Sequence, residues 1–464
     1  MSAGDDALAV RAGAVLAAAG EAPADLPLIA LSSAARRGDG AAAEKAVASL
    51  DKTPLAVLIP SLRAWIAYAR NDAPFPILDA VDATADPIAA RFAAENRALL
   101  LIATGQVDAG VAAVGVMRGN GAPIDLRLAA AQILFAAGRD ADARALLVGD
   151  DPVLVSLRAG APAKPTLAFG VSRLLARIAT DLTGPRAPSA LAIALARGAL
   201  RADPAHDRAR LLLADALARE DAVDRSLATL DGVAESSPFA TSAAALRVTI
   251  LAGAGRTGEA LALAKDRAER SGATYRDWQR YADRLVAAER PGDAAPWYRR
   301  VIDADGMADE WTAWLQYGGA LDQAGDWPRA RAALEKALAL APSEPLALNY
   351  LGYARAERGE DIAGATRLLE RASALRPDDF SITDSLGWVY HLAGDTRRAL
   401  PLLERASAGD PTNAEIADHL GDAYWTLGRR YEARYAWRAA ALTAPADDAA
   451  RIAGKIAGGL PPRR

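Results

Sequence analysis

The residues of this chain best suited to metal or acid–base chemistry are three histidines, His206, His391 and His419. None stands in a His-x-x-x-His or Glu-x-x-His spacing, which would set two ligands on one helix face a turn apart. His391 and His419 could approach each other and form a surface metal site, but ordinary solvent-facing helix residues are the plainer reading. Gly253-Ala254-Gly255-Arg256-Thr257-Gly258 fits Gly-x-Gly-x-x-Gly. That motif cradles a pyrophosphate only when a strand precedes it and a helix N-terminus follows, and no strand pattern precedes it here. There is no Walker A lysine, no Gly-x-Ser-x-Gly and no acid pair isolated in an apolar setting. The chain lacks cysteine, which removes disulfides, thiolate catalysis, iron–sulfur clusters and cysteine zinc sites. The expectation is a protein without catalytic residues, metal or cofactor.

The elements that would position any site are helices. Of the 464 residues, 52% are hydrophobic and 24% charged, which is a globular composition. Alanine dominates the apolar share; it has the highest helix propensity and lets helices pack closely. Alternating runs of strand formers are hard to find. A net charge of −4 argues against a nucleic-acid binder, which carries a basic surplus. No stretch approaches the ~18 apolar residues of a membrane span. The opening Met1-Ser2-Ala3-Gly4-Asp5-Asp6 has neither the basic nor the apolar region of an export signal.

Five columns repeat in one phase near the C-terminus. Gly318, Gly352, Gly387 and Gly421 recur at steps of 34, 35 and 34, and Gly325, Gly359, Gly394 and Gly428 follow each by seven. Ala330, Ala365, Ala399 and Ala433 keep step, as do Ala337, Ala372, Ala406 and Ala440, while Pro342, Pro377, Pro411 and Pro445 close each unit. The first glycine lets two helices of a hairpin approach, the second ends the first helix in a left-handed turn, and the proline stops the second helix. Units can be drawn at 173–206, 207–240, 241–274, 275–310, 311–344, 345–379, 380–413 and 414–447, with two extra residues around Gly306 and one before Ala365. Residues 448–464 read as a polar capping helix with Arg451 and Lys455, then a flexible Pro461-Pro462-Arg463-Arg464 tail. Residues 1–172 read as degenerate hairpins that continue the array or form a separate helical domain. There Gly38 with Ala43, Gly105 with Gly110 and Gly138 with Ala143 keep the turn spacing. The proline-bearing stretches Asp72–Pro76 and Asp150–Pro165 interrupt the phase, the second as a loop or joint.

These columns resemble the tetratricopeptide-repeat (TPR) family, strongly over 311–447 and more weakly before. The resemblance implies an all-α, right-handed superhelical solenoid of antiparallel helix pairs that binds a protein or peptide on its concave face. Asn349-Tyr350-Leu351-Gly352-Tyr353, Asp384-Ser385-Leu386-Gly387-Trp388 and His419 to Trp425, with Trp437-Arg438, are similar to the C-terminal repeats of proteobacterial cell-envelope adaptors of carboxyl-terminal processing proteases. That implies a periplasmic or envelope-associated adaptor, with the protease or its substrate as partner.

Carried onto the repeat positions that face the groove, the resemblance implies a partner site of Tyr353, Trp388, His391 and Trp425 with Asp384, Asp418, Asp422 and Glu415. Arg208, Arg276 and Gln279, with Arg280 adjoining, form a basic middle. Trp388 and Trp425 could equally pack against the neighbouring helix. Tyr390, Tyr424 and Trp437 fall at buried repeat positions. Asn349 lacks the basic neighbours that a chaperone carboxylate clamp requires. A cytoplasmic assembly scaffold and a groove for a small ligand or glycan are the alternatives, and a homodimer is left open.

Overall fold

The computed structural model describes residues 15, 26–51, 53–119, 123–149, 151–183 and 190–461, and these contain twenty-six α-helices, one 3-10 helix and no strand. None of the helices is long and apolar enough to cross a membrane. The opening hexapeptide, Asp150 and the last three residues of the tail lie outside the described residues. The chain divides into two compact units, Met1–Ala260 and Leu261–Arg464.

The second unit is a row of hairpins, each with a first (A) and a second (B) helix. They are Tyr275–Ala287 with Pro291–Ile302, Trp311–Gln323 with Trp327–Leu340, Pro345–Glu357 with Ile362–Leu375, Phe380–Leu392 with Thr396–Gly409, and Ala414–Thr426 with Arg430–Thr443. Both glycine columns do what their spacing implies. Gly325, Gly359, Gly394 and Gly428 leave the A helix at φ +81°, +67°, +89° and +79°, a conformation glycine adopts without strain. A Cβ on Gly421 would lie 2.3 Å from the Trp437 ring, and one on Gly387 2.9 Å from Leu403, so the B helix sits directly on the A helix. Asp326, Asp361 and Asp395 start the following B helices by accepting a backbone N–H of the first turn. Apolar burial falls into small clusters at successive hairpins, the pattern of nearest-neighbour stacking. Tyr390 and Trp437 are buried as their positions implied, whereas Tyr424 is half-buried.

The first unit is built differently. One cluster of buried side chains runs from Leu28 to Ile250, so the residues on either side of position 172 share a core. Its centre is the helix Leu167–Leu182. Gly170 is covered by the Trp65 ring, and Phe169 lies 6.0 Å from that ring. Arg177 reaches Glu95 at 3.2 Å, and Arg173 reaches Asp203 at 2.5 Å and Gln132 at 3.2 Å. The helix Leu26–Arg37 packs on Ala190–Ala202, where a Cβ on Gly198 would lie 3.2 Å from Ser32 Oγ. The N-terminal hairpins therefore close around a later helix. The left-handed glycines at 38, 105 and 138 do end their A helices. Pro152–Leu157 is a short helix inside the stretch expected to be a loop, started by Asp151 accepting from Val153 N–H.

Candidate functional site

The A helices Pro345–Glu357, Phe380–Leu392 and Ala414–Thr426 lie side by side and bring five of the expected residues together. At the centre the Trp388 indole stacks on His419 (centroids 4.0 Å apart, planes 11°) and on His391 (5.0 Å, 7°). Tyr353 stands 6.2 Å from His419 and donates its hydroxyl to Glu415 Oε1 at 2.5 Å. Trp388 Nε1–H donates to Glu357, a residue the groove positions did not include. His419 Nδ1 is 2.9 Å from Asp384 Oδ2, and the other Asp384 oxygen is buried with no hydrogen-bond partner.

The histidines correct an expectation. His391 and His419 are not solvent-facing but buried, and His206 is buried too. His391 is covered by Trp388 and lies 3.2 Å from Thr396 Oγ1. Burial opposes the charge on His419, but Asp384, with Glu415 and Glu357 behind it, outweighs burial and raises its pKa. His206 sits in the first unit against Ser172 Oγ at 2.8 Å, and burial beside Arg173 and Arg208 lowers its pKa far below the ordinary value. Among the described residues no group of three or more His, Asp and Glu is placed to hold a metal.

The remaining expected residues are engaged within the chain. Lys455, on the closing helix Ala446–Gly458, lies 2.8 Å from Asp418 and 2.8 Å from Asp422, and Arg451 adds a contact to Asp418 at 2.7 Å. Asp422 also accepts from Trp437 Nε1–H at 2.8 Å. Burial raises the Asp422 pKa against the pull of Lys455. Trp425 is closed over by Gly459, where no Cβ would fit, and by the Arg430 guanidinium at 3.8 Å. The cap thus covers the end of the acidic stripe, a contact invisible in a sequence where lysine and aspartate stand more than thirty residues apart.

Arg276 and Arg280 stand on Tyr275–Ala287, apart from this cluster. The Arg276 guanidinium lies over the Tyr275 ring at 5.1 Å, and Arg280 is 3.6 Å from Asp277. Gln279 bonds Gln316 at 2.9 Å, and Arg208, in the first unit, pairs with Asp125 at 2.8 Å. Gly253 to Gly258 forms the turn between Ala240–Gly253 and Thr257–Glu269, with Gly255 at φ +72°.

What remains open on this surface is one patch. Tyr353 and Trp388 are half-buried, while Glu357 and Glu415, each fixed by an aromatic donor, are exposed. Fixed carboxylates beside aromatic faces suit a lysine or arginine side chain.

A family model described as tetratricopeptide repeat matches residues 189–241, 280–345 and 320–380. A TPR repeat-containing protein of Pseudomonas aeruginosa, PA4667, is 40% identical over 57 residues, which is 12% of this chain and 10% of the relative. The chain thus spans about a tenth of the length of that curated relative. Among solved structures, a thermophilic TPR protein of Thermus thermophilus is 22% identical with a TM-score of 0.36, covering 40% of this chain and 99% of that one. A tetratricopeptide repeat protein of Parabacteroides merdae is 13% identical with a TM-score of 0.46, covering 53% and 96%. The chain is an all-α protein that carries tetratricopeptide repeats.

Proposed function

We propose that this chain is a non-enzymatic protein-interaction scaffold whose A-helix surface between Tyr353 and Glu415 takes a basic segment of a partner protein. The observation that carries the reading is the pair of exposed carboxylates, Glu357 and Glu415, held by Trp388 and Tyr353. A carboxylate already fixed by a hydrogen bond loses little freedom when a guanidinium docks, so binding energy is not spent on ordering it. Asp384 adds a buried carboxylate to the same cluster.

The test is titration of arginine-rich and acidic peptides of one length, followed by calorimetry. The basic peptide should bind and weaken with salt. The double variant Glu357→Gln with Glu415→Gln should lose about tenfold or more in affinity. Trp388→Ala should lose binding while helical circular dichroism is kept. Equal binding of both peptides, or unchanged affinity in the double variant, would overturn the proposal.

The cell-envelope location, with a carboxyl-terminal processing protease or its substrate as partner, belongs to the same proposal and rests on the resemblance of 349–353, 384–388 and 419–425 to envelope adaptors. Fractionation of the native host tests the location, and recovery of the chain only with cytosolic markers would overturn it.

A further inference from the structure

The outer face of the last B helix carries side chains that its own fold does not use. Tyr431, Tyr435 and Leu442 on Arg430–Thr443 are 80%, 70% and 86% exposed, the three most exposed large apolar residues of this unit. Arg438 stands between them and is also exposed. The spacing i, i+4, i+7, i+11 sets all four in one stripe along the helix. The corresponding positions of earlier B helices show that packing does not require them: Pro328, Ala332 and Ala339 in one, Ala363, Arg367 and Ala374 in the next, then Arg397, Pro401 and Ala408. Beside the stripe lies a groove lined by Pro411, Leu420, Tyr424, Tyr431 and Tyr435, which extends the apolar surface.

We propose that a second copy of this chain docks here, its Arg430–Thr443 helix antiparallel to the first. The stripe is its own complement. A two-fold axis midway between Tyr435 and Arg438 sets Tyr431 against Leu442 of the other copy and Arg438 over the Tyr435 ring of the other copy. The same residues then meet in both directions, as an isologous interface requires. The guanidinium–phenol contacts are of the cation–π kind. In this register Glu432 faces Ala441 of the other copy, so the flanking acid is not opposed to another acid. With aromatic side chains burying about 150–250 Å² each, the contact totals on the order of 1,000 Å², the size of a reversible dimer. The stripe lies on a B helix and shares none of the residues of the A-helix site proposed above.

Sedimentation of the full chain from low micromolar to near-millimolar concentration tests the proposal. A monomer–dimer equilibrium is expected, and Tyr431→Ser with Tyr435→Ser should raise its dissociation constant at least tenfold. Because these residues are exposed, the helical signal should not change. The chain has no cysteine of its own, so register can be read by cross-linking. Tyr431→Cys mixed with Leu442→Cys should form a heterodimeric disulfide, whereas Tyr431→Cys alone should not. A chain that stays monomeric throughout, a dimer unaffected by the tyrosine changes, or efficient cross-linking of Tyr431→Cys with itself would each overturn the arrangement.

Discussion

His419 and His206 are both buried, yet their surroundings push their protons in opposite directions. Asp384, Glu415 and Glu357 face His419 from three adjacent A helices, with Tyr353, Trp388 and His391 filling the rest of its surroundings, and the net effect raises its pKa above the ordinary value. The native state then holds that proton more tightly than the unfolded chain does. Its contribution to stability is full below about pH 6.5 and is lost as pH rises through the higher native value. His206, buried beside Arg173 and Arg208, has its pKa lowered, so the unfolded chain binds a proton that the native state refuses. Its contribution is full above about pH 6.5 and is lost as pH falls toward the native value. The two residues lie in different units, so hydrogen exchange can follow them separately. Between about pH 8 and about pH 5, protection over 380–443 should rise relative to His419→Gln. Protection over 167–230 should fall relative to His206→Gln. Differences of the same sign in both units would contradict the assignment. None of this was legible in the sequence, because His419 is covered by Trp388 of the neighbouring repeat and His206 meets Ser172 and Arg173 of an earlier helix, contacts that spacing does not reveal.

At the level of helices and hairpins the sequence was far more informative, because close approach and left-handed turns demand glycine whatever surrounds them. Gly421 is the sharpest case. A methyl group there would meet the Trp437 ring at 2.3 Å, and Trp437 is fully buried with its Nε1–H held by Asp422. Gly421→Ala should cost about 1–3 kcal/mol from overpacking. Gly454, within Ala446–Gly458, has nothing within 4 Å of its would-be Cβ, so Gly454→Ala should stabilise by about 0.5–1 kcal/mol through helix propensity. Denaturant midpoints of the two variants should therefore move in opposite directions. The closing helix shows what spacing cannot reveal: its Lys455 satisfies two carboxylates whose repeat positions point toward a partner site. Lys455→Met should cost about 3 kcal/mol, because two largely buried aspartates lose their shared cation. A change under about 1 kcal/mol in chemical denaturation would mean that the pair is solvated like a surface bridge.

The two units embody different ways of burying alanine-rich helices, and their cooperativity should differ accordingly. In the second unit helix packing is chiefly between neighbouring hairpins, with Tyr353 reaching past one hairpin to Glu415 and His419, and stability is approximately a sum of local terms. In the first, Leu167–Leu182 is enclosed by helices distant in sequence, and Trp65 on Ile59–Ala69, fully buried with its Nε1–H on Asn96 Oδ1 at 2.8 Å, ties its own helix to Pro87–Ala103 and to the central helix. The repeat columns could not foretell this, since the residues before 172 keep the turn glycines but lose the columns that fix the phase. Trp65→Ala should cost about 3–5 kcal/mol, and the loss should spread over the cluster from Leu28 to Ile250, because its buried side chains form one core around the central helix. Leu369→Ala empties a fully buried position in a stacked hairpin and should cost about 2–5 kcal/mol, with the loss concentrated in 345–409 and fading along the row. Native-state hydrogen exchange on the two variants distinguishes these patterns. A Trp65→Ala effect confined to its own hairpin would show that the first unit, too, is held together only by neighbours.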